Sequence, residues 1–229
     1  MDGDALRRAV ANAAEFWTRI ARARGYTTET GDGWLAIVGD ERYGTRTLTL
    51  GAAGTVPVRP GRVVVEDAFG ALDLTTAGLA ERQLPIMIRY PHEPADPPRV
   101  PVRRVSTPPE LRTVERLVVE DFALEAFQPY QCGIVFPDRL LDDFEFYLAE
   151  LDGEPVGASV AVPQPEAVGV YWVTTGTRFR SRGVGRSLMH ALLRRFDDRP
   201  MTLTASKLGR PLYESLGFEH VTQSTWWVR

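Results

Sequence analysis

The chain has 229 residues, 44% of them hydrophobic and 25% charged, an ordinary globular composition in a length that allows one large domain or two small ones. Its formal net charge of -3 supplies no global basic field to hold nucleic acid or an anionic membrane surface. Cys132 stands alone, which rules out an internal disulfide, and no apolar run reaches the roughly 18 residues a bilayer needs, so a cytoplasmic protein is expected.

From the N-terminus, Ala5–Arg24 places Ala9, Ala13, Phe16, Trp17 and Ile20 at helical spacing, and Gly25 ends the run. Short strand-like runs follow at Trp34–Val38, Arg46–Leu50, Arg62–Val65 and Pro85–Arg89, with a helix expected over Ala68–Arg82. The stretch Tyr90–Arg104 carries Pro91, Pro94, Pro97, Pro98 and Pro101, which remove backbone donors and hold the chain extended. A boundary is expected there, between an α+β N-terminal domain over 1–97 and a second domain over 98–229.

Beyond it, Val100–Val105 reads as a strand. Pro108 and Pro109 open a helix through Glu125, with Leu111, Val114, Leu117, Val118 and Phe122 on its apolar side. An aromatic loop with Phe127, Tyr130 and Phe136 comes next. Phe146–Leu151 and Val156–Val162 flank Asp152-Gly153, a signal for an antiparallel hairpin. Val168–Thr175 is a further strand, and Val184, Leu188, Ala191 and Leu192 mark one face of a helix. Met201–Ala205 reads as a strand and Leu208–Leu216 as a short helix with Leu208, Leu212 and Leu216 on one side. Gly217 stops that helix, and the chain from Phe218 to Val228 is a last strand region.

Two short patterns carry chemistry. Arg180-Ser181-Arg182-Gly183-Val184-Gly185 fits R-x-x-G-x-G between a strand and an amphipathic helix. Of the 27 lysines and arginines only Lys207 is a lysine, so an arginine motif arises easily in this chain and its placement has to support it. At a helix mouth, exposed amides and the helix dipole attract an anion, and glycines let the backbone approach it. Arg178, Arg180, Arg182 and Arg186 add charge-assisted donors. The second pattern, Leu208 to Phe218, contains Tyr213 beside the leucine face. A tyrosine stays protonated at neutral pH and can donate to a departing thiolate; half-buried packing of its ring is the competing reading.

These residues and the order of the elements around them resemble the GNAT superfamily of acyl-CoA-dependent N-acyltransferases, over Val100 to Trp227. The resemblance implies an α/β (α+β) fold with a mixed, mostly antiparallel sheet, preceded by a smaller α+β domain. It implies an N-acetyltransferase that moves the acetyl group of acetyl-CoA to a primary amine by direct attack in a ternary complex. Val173 and Thr175 would meet the pantetheine arm; Arg180, Ser181, Arg182, Gly183, Val184, Gly185, Arg186 and Ser187 would hold the pyrophosphate. Tyr213 falls on the family's usual general acid. Ser206 falls where many members carry Asn, a departure, and is equally the N-cap of the last helix.

The general base is unassigned, because Gly169–Thr175 holds no carboxylate; Glu120, Asp121, Glu125 and Glu166 are the candidates, with a solvated surface role as their alternative. His190 is read as a surface residue and Cys132 as a small packing residue, while His92 and His220 have no evident partner. No spacing of His, Cys, Asp and Glu suggests a metal site. The expected partner is a small-molecule amine bound by the Phe122–Phe136 segment, with no nucleic acid and no membrane; a homodimer stays open. The N-terminal half is either a degenerate copy of the same fold or an unrelated lid or dimerisation domain. A non-catalytic acyl-CoA sensor is the alternative to the enzyme.

Overall fold

The computed structural model describes residues 3–91, 96–122 and 124–229. Two compact units emerge, Met1–Arg89 with Thr202–Arg229, and Tyr90–Met201. The C-terminal strand thus belongs with residues 1–89, whereas the sequence reading grouped it with residues 98–229.

The first unit starts with helix α1 (Gly3–Arg24) and strands β1 (Thr27–Gly31), β2 (Trp34–Val38), β3 (Thr45–Thr49), β4 (Val63–Asp67) and β5 (Ala80–Arg89). Leu6, Ala9 and Val10 of α1 pack against Ala68 and Ile86. The expected helix over Ala68–Arg82 does not form. Asp67, fully buried, accepts the amides of Phe69 (3.1 Å), Gly70 (3.1 Å) and Leu72 (2.9 Å), which turns the chain sharply after β4. Gly70 at a left-handed φ of 63° and Gly78 at 76° take the chain out of the helical region, so no helix propagates before β5 begins at Ala80.

The second unit comprises strand β6 (Val102–Val105), helix α2 (Pro108–Asp121), the short helix α3 (Leu140–Asp143), strands β7 (Glu145–Leu151), β8 (Glu154–Pro163) and β9 (Val168–Thr175), and helix α4 (Val184–Arg195). The strand order is β9-β8-β7-β6, each pair antiparallel. Asp152 and Gly153 turn β7 into β8 with φ of 52° and 79°, as a two-residue hairpin requires. Glu110 anchors the start of α2: the Thr107 hydroxyl, the Ser106 amide and Arg103 hold its carboxyl down at about 2. The helix ends at Asp121 rather than Glu125. Its buried side carries Glu115 and Val119, while Phe122, expected in the core, is exposed.

Helices α2 and α4 both pack on β7, β8 and β9. Alternation along β7 divides its side chains between them. Phe146 meets Phe136 on the α2 side at 5.1 Å, whereas its neighbour Glu145 binds Arg195 of α4 at 3.0 Å and accepts from the Tyr147 hydroxyl at 2.5 Å.

The chain returns to the first unit through β10 (Met201–Thr204), helix α5 (Arg210–Ser215) and strand β11 (Glu219–Val228). In that unit the order is β1-β2-β3-β4-β11-β5-β10, with β3 and β4 parallel and β11 antiparallel to both β4 and β5. Trp227 closes a core of Val63, Val65 and Leu79, while Trp226 lies 5.4 Å from the Arg46 guanidinium. Leu208, expected on the core side of the last helix, is 87% exposed, because α5 begins only at Arg210 and buries Tyr213 instead. No helix among the described residues is long and apolar enough to cross a membrane.

Gly157 sets how closely α4 approaches β8. A Cβ there would lie 2.5 Å from Val184 Cγ1, 2.8 Å from the Thr174 carbonyl and 3.3 Å from Leu188 Cδ1. A methyl group would press on two side chains of α4 and on the β9 backbone at once, so either the helix or the strand pair has to shift. Gly157→Ala is therefore expected to lower unfolding free energy by about 1–3 kcal/mol, the usual cost of overpacking, as measured by urea denaturation.

Candidate functional site

Strand β9 is irregular where it matters. Ala158 pairs with Thr174 and Val160 with Tyr171, so Ser159 alone faces both Trp172 and Val173, a β-bulge. Trp172 takes a left-handed φ of 47°, and the Thr174 hydroxyl donates to its carbonyl at 3.1 Å. The Ser159 hydroxyl opposite is fully buried and has no hydrogen-bond partner among the described residues. Val173 and Thr175 are half-buried on this strand.

The strand hands over to a loop anchored at its start. Asp121, at the end of α2, accepts from the Thr177 amide at 2.9 Å and from its hydroxyl at 3.2 Å. A single 3-10 turn over Thr177–Phe179 follows, and then Arg180 with φ of −61°. Ser181 is left-handed at 62° and Gly183 at 79°, so the sign of φ alternates up to the first residue of α4. Such alternation aims successive backbone amides into one concavity.

Gly183 is the N-cap of α4, and no side chain caps the helix. The first N–H to bond back is that of Ser187, to the Gly183 carbonyl at 2.9 Å. The amides of Val184 and Gly185 therefore have no acceptor within the helix, and the positive end of its dipole is left open. A Cβ at Gly183 would meet nothing within 4 Å, so the approach to these amides is clear. Ser181, Arg182 and Gly183 are exposed.

The four arginines of the loop are not equivalent. Arg178 pairs with Glu154 at 3.1 Å, both side chains exposed. The Arg182 guanidinium lies 5.6 Å from the centre of the Phe179 ring. Arg180 is exposed and makes no ion pair among the described residues. Arg186 is exposed on the first turn. Ser187 stands apart: its amide serves Gly183, and its hydroxyl, nearly fully buried, accepts from the Val100 amide at 3.0 Å. Its polar atoms clasp the segment before β6, which leaves them committed inside the unit.

Tyr213 and Ser206 belong to the first unit. Tyr213 is 8% exposed, its ring 5.8 Å from Phe218, and burial raises its phenol to about 12. Ser206 closes the turn ahead of α5: its hydroxyl accepts from the Gly209 amide at 3.1 Å, and its carbonyl from the Arg210 amide at 3.0 Å. The N-cap of α5 is Gly209, with no side-chain cap, so Ser206 shapes the turn before the helix rather than capping it as the sequence alternative had it.

Two other readings change. His190, expected at the surface, is buried, because α4 buries Ser187, Met189, His190 and Leu193 as well as the Val184-Leu188-Leu192 stripe. Cys132, expected to pack inside, is exposed. His220 is exposed on β11, and His92 lies outside the described residues. Of the candidate bases, Asp121 is engaged by Thr177, while Glu120, Glu125 and Glu166 are exposed. Among the described residues no three His, Cys, Asp or Glu gather to hold a metal ion.

One carboxylate escaped the sequence reading. Glu115 is fully buried in α2 and accepts from the amides of Gly133 (2.7 Å), Val135 (2.7 Å) and Phe136 (2.9 Å), from the Tyr130 hydroxyl (3.1 Å) and from Arg112 (3.0 Å). The signal was a charged residue four positions after Leu111 and three before Val118, on the apolar stripe itself.

The bulged strand, the open helix mouth behind it and the mostly antiparallel mixed sheet are the GNAT fold, and known proteins share it. A solved GCN5-related N-acetyltransferase from Kribbella flavida superposes with a TM-score of 0.63 at 16% identity, covering 96% of this chain and 95% of its own. A GCN5-related N-acetyltransferase-like protein from Streptococcus suis gives 0.56 at 15% identity, over 99% and 100% of the two chains. A functionally unknown conserved protein from Staphylococcus epidermidis gives 0.63 at 14%, over 90% and 94%. No curated protein matches the sequence. Residues 118–226 match the family model for an acetyltransferase (GNAT) domain.

If Ser187 is a clasp, Ser187→Ala leaves the buried Val100 amide without an acceptor. The expected loss of stability is about 1–3 kcal/mol. Coenzyme A affinity, measured by calorimetry on the folded variant, should stay within about twofold of wild type; a tenfold loss, or about 1.4 kcal/mol, would return Ser187 to the anion site.

Proposed function

We propose that the chain is an acetyl-CoA-dependent N-acetyltransferase acting on a primary amine of a small molecule. The observation that carries this is the uncapped start of α4: a left-handed glycine with open space above it, two amides lacking helical acceptors and an unpaired arginine beside them. Backbone donors of this kind suit a diphosphate, and the family match supplies the class of molecule that bears it. Arg180, Ser181, Arg182, Gly183, Val184, Gly185 and Arg186 form the proposed phosphate set; Ser187 supports it from within.

Acetyl-CoA enters as a substrate carrying an activated acyl group. The acceptor amine, uncharged on arrival, bonds through nitrogen to the acyl carbon. The carbon–sulfur bond then breaks, sulfur leaves with its electron pair, and the nitrogen gives up a proton to solvent. Backbone amides at the β9 bulge, freed from regular pairing, are the proposed donors to the oxygen that gains charge. Tyr213 holds a proton at its phenol oxygen for the sulfur. With that phenol raised to about 12, it remains protonated across neutral pH and is a weaker acid than an exposed tyrosine. Its part is accordingly a hydrogen bond that strengthens as sulfur becomes anionic.

A second reading, a domain that binds acyl-CoA without catalysis, draws on the lack of a poised base: β9 carries no carboxylate, and Asp121 is spent on Thr177. The two readings part in a thiol-release screen against an amine library. Enhancement by some amine is expected; binding of acetyl-CoA with no amine-dependent release would favour the sensor.

For Tyr213, Tyr213→Phe is expected to lower kcat by about 10- to 10²-fold with KM for acetyl-CoA little changed, the magnitude of a lost hydrogen bond to a charged group. An unchanged kcat would remove Tyr213 from the mechanism. For the loop, Arg180→Ala combined with Gly183→Ala is expected to weaken coenzyme A by about tenfold or more, since it removes a charge-assisted donor and strains the left-handed turn.

A further inference from the structure

Burying an ionised carboxylate is expensive, and a well-packed apolar side chain is often as stable in its place. Glu115 nevertheless sits fully buried beneath five donors, four of them in α2's own turn or in the segment that ends at Phe136 and the fifth the Phe136 amide itself. A leucine there would leave the amides of Gly133, Val135 and Phe136 unsatisfied, so the backbone path of this segment depends on the carboxylate.

The segment ends against β9. The Phe136 ring lies 5.2 Å from that of Trp172 and 5.1 Å from that of Phe146. Trp172 is the residue at which β9 bulges, held at a φ of 47°. A left-handed conformation costs a bulky L-residue roughly 1–2 kcal/mol and persists only where neighbours fix it. Phe136 is fully buried, so its ring has one seat, and that seat is set by the amide that Glu115 accepts.

We propose that Glu115 is a positioning residue for β9: its carboxylate clamps residues 130–136 so that Phe136 holds Trp172, and with it the bulged backbone, in the arrangement that receives the acyl group. This deepens the acetyltransferase reading and rests on it for the last clause. The clamp itself is a property of the chain alone.

Hydrogen exchange followed by mass spectrometry tests it on the full chain. In Glu115→Gln, which turns an NH2 group toward amide donors, exchange should accelerate about tenfold or more both in residues 130–136 and in residues 171–174, with α4 unchanged. Phe136→Leu, which keeps the carboxylate, should accelerate residues 171–174 while leaving Gly133 protected. Acceleration confined to residues 130–136 in Glu115→Gln overturns the proposal. Should Glu115→Gln not fold, Tyr130→Phe removes one of the five donors and is read in the same way. On any amine the wild type acetylates, Glu115→Gln should lower kcat by about tenfold with KM for acetyl-CoA within about twofold, and an unchanged kcat also overturns it. A wild type that acetylates no amine ends the functional reading, while the exchange comparison still decides the clamp.

Discussion

The second unit is organised around donors that the chain does not satisfy. A helix leaves its first N–H groups without partners, and most helices recruit a serine, threonine or aspartate to meet them. Helix α4 instead begins at a left-handed glycine with no capping side chain. Holding such a mouth open requires rigidity on every side, and the structure provides it. Gly157 lets the helix lie directly on β8, Asp121 ties down the start of the loop, and the Ser187 hydroxyl fastens the first turn to Val100. Each of these contacts is internal, yet each fixes where the open amides point.

How much of this was legible in the sequence differs by level. The hairpin at Asp152-Gly153, the strand before the loop and the apolar stripe of α4 follow from turn chemistry and periodicity, and they formed within a residue or two of expectation. Two features that the sequence reading missed are acidic side chains that accept backbone amides. Asp67 takes three amides of the turn after β4, where Gly70 is left-handed and the expected helix over Ala68–Arg82 does not form; Glu115 takes three more and fixes a segment that reads only as an aromatic loop. A propensity or a period has no access to such contacts, because an acidic residue in a window looks solvated by default. The usable signal in both cases was position: Asp67 directly follows the strand run Val63–Glu66, and Glu115 interrupts an apolar helix face. The bulge in β9 left no mark, since Trp172 and Val173 are both good strand formers.

The first unit handles buried charge differently. Arg46 and Glu66 form an ion pair with both side chains mostly buried, and the Arg46 guanidinium lies 4.0 Å from the centre of the Trp17 ring. Burial pushes the Glu66 carboxyl up, and Arg46 pulls it back. Here the carboxylate's partner is a cation that itself stacks on an aromatic face, and Trp17 meets both members of the pair. Glu115 has the opposite character. Its chief partners are amides of a loop, so the same residue type becomes a constraint on backbone geometry in one unit and a packing element in the other.

The distribution of side chains bears on how an acyl transfer would be assisted. No carboxylate lies on β9, Asp121 is hydrogen-bonded to Thr177, and burial moves the Tyr213 phenol away from neutrality rather than toward it. An enzyme that relied on proton transfer would place groups with values near the working pH around the reacting atoms. What this chain concentrates instead are fixed backbone dipoles: a bulged strand at Trp172 and an uncapped helix start at Gly183. Fixed dipoles need no reorganisation when charge appears, and they are insensitive to pH over the range where amines lose their proton. On the acetyltransferase reading, the pH dependence of the rate therefore belongs chiefly to the acceptor amine, and the protein's own contribution is the precision with which Gly157, Asp121 and Glu115 hold its backbone still.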